Sequence, residues 1–316
     1  MDRNEQHAIE AVTSDLARLR IAFTNVFFVG APGSEWVLID AGMSVGAAQI
    51  LEVARERYGQ EIRPAAIILT HGHFDHVGAL EPLLAVWDVP VYAHALEMPF
   101  LTGHADYPPP DPTVGRGLMA RMSPLFPEKG INLGDRIRAL PENGQLPGSP
   151  DWRWIHTPGH SPGHVSIFRD ADRTLIAGDA VTTTRPESVF ATLAQREELN
   201  GPPAYFTIDW DKARRSVETL ALLKPTTIAS GHGPTLEGDH LPVELAKLAH
   251  DFDSRVRPRR GRYVHQPAIT DEQGVLVLPP PVRSGGVRWG MLSGVAATAF
   301  AGTWLVRRFG RSRSAN

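Results

Sequence analysis

The sequence predicts an α/β protein in which helices pack against sheets, and three observations carry that expectation. Short apolar runs of strand length alternate with segments of helical apolar spacing along most of the chain. The run AAIILT, residues 65–70, is apolar without alternation, as in a strand buried on both faces. The helical segments carry their own end signals: Gly59 stops one, and Asp209 stands as the N-cap of another.

Taken in order, residues 21–42 (IAFTNVFFVGAPGSEWVLIDAG) read as a strand pair around the APGS turn. Ser44 to Tyr58 has helical spacing through Val45, Ile50, Leu51, Val53 and Ala54. After the strand at 65–70 the spacing predicts a helix over Asp75 to Trp87, then a strand in VPVYAH, 89–94. The segment of about 95–145 is rich in Pro and Gly and weakly periodic, so it reads as an inserted cap or loop region with a short helix near Val114 to Met122. Its Met98, Phe100, Leu101, Tyr107, Met119, Met122 and Phe126 would either wall a substrate site or pack the insertion onto the body. The pattern resumes with WRWIHT (152–157), HVSIFRD (164–170) and TLIAGDA (174–180). A helix over Asp211 to Leu223, a strand in TTIASGHG (226–233) and a helix over Leu241 to Asp251 complete it. A short echo links the halves. VLIDAG (37–42) then IILTHGH (67–73) resembles TLIAGDA then TIASGHG (227–233), as a duplicated unit with a site between its halves would leave.

Composition excludes several chemistries. The 316 residues contain no Cys, which removes disulfide scaffolds, thiolate metal sites, iron–sulfur clusters and cysteine nucleophiles, so any metal must be held by His and carboxylate. Basic and acidic residues nearly cancel, 32 against 35, and give no global pull toward nucleic acid. The opening MDRNEQHAIE lacks the basic and apolar regions of a signal peptide, so the expected location is the cytoplasmic side.

The dominant motif is THGHFDH, residues 70–76, which places His71, His73, Asp75 and His76 in the turn after a buried strand. A turn there can aim several imidazoles and a carboxylate at one centre, a donor set suited to zinc, manganese or iron. Further candidates follow other predicted strands or sit in Gly/Pro turns: His156, His160 and His164 in HTPGHSPGH, Asp179 in AGDA and His232 in SGHG.

Together THGHFDH, TPGHSPGH, GDA and SGHG resemble the metallo-β-lactamase-fold hydrolase superfamily, in its glyoxalase II and lactonase-like branch, over about residues 20–253. The resemblance implies a four-layer αββα sandwich with a dinuclear site at one edge. It implies that His71, His73 and His160 hold a first ion, that Asp75, His76 and His232 hold a second, and that Asp179 bridges them. Asp75 and His76 are then also the residues expected to serve catalysis, and Asp40 of LIDAG matches a position beside the site. His156 and His164 are not carried over as ligands. The implied reaction is hydrolysis of an ester, thioester or lactone of a small molecule by a metal-bridging hydroxide. Two Zn2+ ions lead, with Mn2+ or Fe2+ open. A mononuclear iron sulfur dioxygenase and a metal-dependent nuclease of the same fold are the alternatives. Several positions depart from particular branches: His76 follows Asp75 where some antibiotic-hydrolysing members have Arg, Thr182 stands where lactone-cleaving members have Tyr, and Gly72 interrupts a His-His-His start.

The hydrolase domain is expected over 1–254, with the insertion inside it, followed by a basic and Pro-rich extension over 255–288. Residues 289–306 (WGMLSGVAATAFAGTWLV) carry no charge and are bracketed by Trp289 and Trp304. As a helix they would span about 27 Å, just short of a ~30 Å bilayer core. This segment is a candidate membrane helix, with docking on the domain or at a homodimer interface as the alternative. A basic tail fills 307–316.

Overall fold

In the computed structural model of the protein the described residues are 9–60, 62–114 and 117–282. The candidate helix at 289–306 and the tail at 307–316 lie outside them, as does the end of the 255–288 extension. No helix among the described residues is long and apolar enough to cross a membrane.

The first sheet runs in the order β1 (Ile9–Ala11), β2 (Leu16–Ile21), β3 (Thr24–Val29), β4 (Val37–Ile39), β5 (Ala66–Ile68), β6 (Val91–Ala93) and β7 (Ile137–Ala139). Its neighbours are antiparallel from β1 to β4 and parallel from β4 to β7. The second runs in the order β8 (Gln145–Leu146), β9 (Ser149–His156), β10 (Val165–Arg169), β11 (Thr174–Ile176), β12 (Thr227–Ala229) and β13 (Leu236–Glu237). Only its β11–β12 pair is parallel. A separate pair, β14 (Ile269–Asp271) and β15 (Gly274–Val277), follows. The described helices are α1 (Ala47–Tyr58), α2 (Phe74–Val77), α3 (Leu80–Val86), α4 (Met98–Leu101), α5 (Leu118–Met122), α6 (Val189–Leu193), α7 (Trp210–Leu222), α8 (Leu241–His250) and α9 (Phe252–Arg255).

Strand alternation divides the apolar residues among three layers. Phe27, Val29, Val37, Ile39 and Ile68 of the first sheet meet Trp152, Val165, Ile167 and Ile176 of the second. Their neighbours Val26, Phe28, Leu38 and Ile67 point the other way and meet Ile50 and Val53 of α1 and Leu80 and Leu83 of α3. On the far side, Phe168, Leu175 and Ile228 pack with Val217 and Leu220 of α7 and Leu245 of α8. Burying each such side chain is worth about 1.5–3 kcal/mol, so the three layers hold helix–sheet–sheet–helix together. This is the αββα sandwich.

Some elements differ from the sequence reading. The helix expected over 75–87 is split into α2 and α3, because the His76 carbonyl accepts a hydrogen bond from the Ala41 N–H (2.7 Å) and leaves the helical ladder. The strand pair around APGS is present as the antiparallel β3–β4, and a second antiparallel pair, β2–β3, precedes it. Arg18 disguises β2 in the sequence. Its guanidinium is buried by donating to Asn25 Oδ1 (3.2 Å) and the Gly233 carbonyl (2.6 Å) and by pairing with Glu10. Within 95–145, β7 joins the edge of the first sheet, and Phe100 and Leu101 are fully buried. The Asp209 cap is present: its side chain accepts from the Lys212 N–H at 2.9 Å. The echo is also structural. β4 and β11 each pair in parallel with a later strand, β5 and β12, and the acids and histidines of the motifs follow those strands.

Candidate metal centre

Four loops at the strand ends converge. The loop after β5, entering α2, brings His71, His73, Asp75 and His76. The β9–β10 turn brings His160, the loop after β11 brings Asp179, and the loop after β12 brings His232. All seven side chains are buried, and they form three overlapping groups able to hold a metal ion: His71, His73 and His160; His71, His76 and Asp179; Asp75, His76 and His232. Within each group the donor atoms lie within 4.8 Å of one another.

The donor atoms face one another closely. His73 Nδ1 is 3.0 Å from His71 Nε2 and 3.0 Å from His160 Nε2. Asp179 Oδ2 lies 3.4 Å from His160 Nε2 and 3.1 Å from His232 Nε2, so one carboxylate touches both ends of the cluster. Asp75 Oδ2 is 3.5 Å from His232 Nε2. His76 Nε2 and Asp179 Oδ1 are buried without a hydrogen-bond partner and stand 3.6 Å apart, too far to bond each other. Two partnerless buried donors aimed at one gap fit a cation between them.

The outer faces of the rings fix which nitrogen is free. The Phe23 carbonyl can only accept, so His232 Nδ1–H donates to it (2.8 Å) and Nε2 keeps its lone pair. Asp40 Oδ2 accepts from His76 Nδ1 (2.8 Å) and from Thr70 Oγ1 (2.8 Å), and Oδ1 accepts from the Thr70 N–H (2.7 Å). With its proton on Asp40, Thr70 Oγ1 is left to accept from His71 Nδ1 at 3.1 Å. Asp40 holds φ of +60°, an unfavourable conformation for most residues that Asp tolerates. Thr24 Oγ1 donates to Asp75 Oδ2 (3.1 Å).

Charge within the cluster is divided. Burial first, and the neighbouring imidazoles after it, hold His71 and His160 well below the ordinary imidazole range and bring His73 down to about 4, so these three offer lone pairs. Burial also pushes His76 and His232 down, but carboxylates outweigh it. Asp40 and Asp179 raise His76 well above its usual value, and Asp179 and Asp75 bring His232 up to about 9. Asp179 is pushed up by burial, yet His232 and His76 hold it well below the carboxylate range. The carboxylates therefore attract positive charge, and without a metal two imidazolium protons supply it. A divalent cation displaces such protons with the charge to spare.

Among the other residues singled out by sequence, Asp40 borders the cluster through its hydrogen bond with His76. His164 is tied to Asp179: its Nε2 accepts the Asp179 N–H (2.8 Å), and its Nδ1 bonds Thr157 Oγ1 (2.8 Å). His156 lies apart from the cluster, stacked on His94 with ring centroids 4.0 Å apart. Thr182 Oγ1 donates to the Thr184 and Gly201 carbonyls. The insertion contributes Phe126, which packs on Phe74, Tyr205 and Phe206, while the Phe206 ring centroid is 4.6 Å from that of His73. The Tyr205 hydroxyl bonds no other described residue. Burial and the Asp75, Glu187 and Asp179 carboxylates hold it protonated, far above the usual phenol range. Sequence reasoning missed Glu97, a fully buried acid in the run ALEMPFL that no spacing rule marks.

The profile of the Metallo-beta-lactamase superfamily matches residues 19–232. The chain is 48% identical over 238 residues to the probable metallo-hydrolase YflN of Bacillus subtilis (strain 168), across 75% of this chain and 90% of that protein. It is 33% identical over 177 residues to the probable metallo-hydrolase YqgX of the same organism, across 55% and 70%. Among solved structures it is similar to the archaeal metallo-β-lactamase superfamily protein ST1585 from Sulfolobus tokodaii, with a TM-score of 0.51 and 18% identity over 78% of this chain and 90% of that one. That last likeness is one of fold.

Proposed function

Since the chain belongs to the metallo-β-lactamase superfamily and is a metal-dependent hydrolase, we propose that its seven converging residues hold two divalent ions and that its substrates are esters, thioesters or lactones of small molecules. One observation carries the two-ion reading: a three-histidine group and an Asp75, His76, His232 group stand side by side with the Asp179 carboxylate reaching both. A mononuclear oxygenase would use the first group and leave the second idle. Imidazole and carboxylate suit zinc, manganese and iron alike, with zinc our first choice.

Bound there, divalent ions supply Lewis acidity and hydroxide at neutral pH. The remaining work falls to the chain. His71, His73 and His160 are neutral and present lone pairs, while Asp75 and Asp179 offset cation charge so that a neutral carbonyl is not repelled. Asp40, Thr70 and the Phe23 carbonyl fix the ring tautomers, and His164 fixes the Asp179 backbone. Phe74, Phe126 and Phe206 form an apolar wall that seats acyl or alkyl groups and excludes water. Tyr205, held protonated beside Asp75 and Asp179, donates a hydrogen bond to the substrate's carbonyl or leaving oxygen.

The test is chelator-stripped protein, reloaded with zinc, manganese or iron, against an aryl ester, a thioester and a lactone. We expect turnover of at least one class, restored in proportion to metal added up to two equivalents. Turnover of none by the reloaded protein, or full turnover by the stripped protein, refutes the proposal.

A further inference from the structure

We propose that Glu97 is a positioning residue that sets the geometry of the first-ion pocket by clamping the His71–His73 turn to the His160 turn. This rests on the two-ion reading above. Glu97 follows β6, outside every motif, and is fully buried. Its Oε2 accepts from the Gly72 N–H (3.0 Å) and from the Tyr107 hydroxyl, and its Oε1 accepts from Ser161 Oγ (2.8 Å) and the Gly163 N–H (2.7 Å). Each oxygen has two lone pairs, and each takes two donors. A proton on the carboxyl would have to displace one of them, and two are backbone N–H groups that cannot turn around. Burial pushes the carboxyl upward, and these four donors act against it.

The clamp reaches the ligands through their chain neighbours. Gly72 lies between His71 and His73, while Ser161 adjoins His160 and Gly163 completes the same turn. All three donors to the first pocket therefore sit on backbone that Glu97 ties together, from partners 25, 64 and 66 positions away. The second pocket is braced by Thr24, Asp40 and the Phe23 carbonyl, none of which bonds Glu97. Packing around the clamp leaves no room for side chains at the two glycines. A Cβ at Gly72 would stand 2.3 Å from Tyr107 Oη, and one at Gly163 would stand 2.8 Å from Glu97 Cγ. The Tyr107 ring also lies 4.6 Å from the His73 ring, centroid to centroid, and braces it from the side.

Glu97→Gln keeps the shape and turns one acceptor into a donor facing an N–H or hydroxyl. The probe is cobalt(II), titrated into the stripped full-length protein against a competing chelator, with folding followed by circular dichroism and thermal midpoint. The variant should bind its first-pocket ion about 10–100-fold more weakly, in line with other residues that orient metal ligands, and the second with unchanged affinity. His232→Ala assigns the pockets, since the cobalt that remains in it should bind more weakly by the same factor on adding Glu97→Gln. Tyr107→Phe removes one of the four donors and should weaken the same pocket by a smaller factor, which keeps the test readable if Glu97→Gln fails to fold. Wild-type cobalt affinity in these variants, or equal weakening of both pockets in step with a lower thermal midpoint, overturns the clamp. A single cobalt in the wild type would instead overturn the two-ion reading, and the effect of Glu97 would still be read on that one ion.

Discussion

Replacing Asp40 by Asn tests the second pocket as Glu97 tests the first. The carboxylate accepts from His76 Nδ1, Thr70 Oγ1 and the Thr70 N–H at 2.7–2.8 Å, and all these groups are buried. The Asn oxygen can keep the Thr70 N–H, which leaves the amide NH2 facing His76 Nδ1–H and the Thr70 hydroxyl. The hydroxyl can rotate. His76 can relieve the clash only by accepting at Nδ1, and a neutral ring then carries its proton on Nε2, the atom aimed at the ion. Freeing Nε2 restores an N–H against an N–H, an unsatisfied buried donor costing about 1–3 kcal/mol. Asn tolerates the positive φ at this position, so the backbone adds little strain. The second ion should therefore bind about 10–100-fold more weakly, with a smaller effect on the first. Competitive chelator titration of stripped protein reads both affinities. Equal affinity for the second ion in Asp40→Asn and wild type would refute the tautomer argument.

Three further outcomes follow from the geometry. His76 is raised well above its ordinary value and His232 to about 9, so below that pH an ion entering the second pocket must displace protons. Its affinity should rise from pH 6 to 8 by about tenfold or more per unit, with protons released in calorimetry across buffers, and a flat profile would contradict the assignment. A Cβ at Gly231 would stand 2.1 Å from Asp179 Oδ1 and 2.8 Å from His76 Cε1. Gly231→Ala should thus lower kcat about 100-fold by displacing the carboxylate, and a fully active variant would show that the carboxylate need not sit there. Tyr205→Phe should lower kcat about 100-fold with little change in KM, as loss of one donor to developing charge does; unchanged kcat would make Tyr205 a packing residue.

Much of this arrangement was legible because it is local. THGHFDH follows an apolar strand directly, and Asp179 and His232 follow the parallel pair β11 and β12, so a strand-plus-turn reading places them at sheet ends. Asp40 was visible as an acid after a buried strand, but its partners were not, since Thr70 and His76 lie 30 and 36 positions on. Glu97 was illegible for the same reason in stronger form: inside ALEMPFL it is one acid in an apolar run, and only the folded loops supply its donors. The break between α2 and α3 depends on a bond to Ala41 that helical spacing cannot report. Within the insertion, apolar type alone could not separate Phe100, buried in the body, from Phe126, which joins the aromatic cluster of Phe74 and Phe206.

The two-ion account is tested most directly by a crystal structure of the metal-loaded protein with anomalous difference maps recorded at the absorption edge of the bound metal. Two peaks about 3.5–4 Å apart are expected, one against His71, His73 and His160 and one against Asp75, His76 and His232, with the Asp179 carboxylate between them. A single peak, or peaks away from these side chains in a protein that turns over substrate, would contradict it.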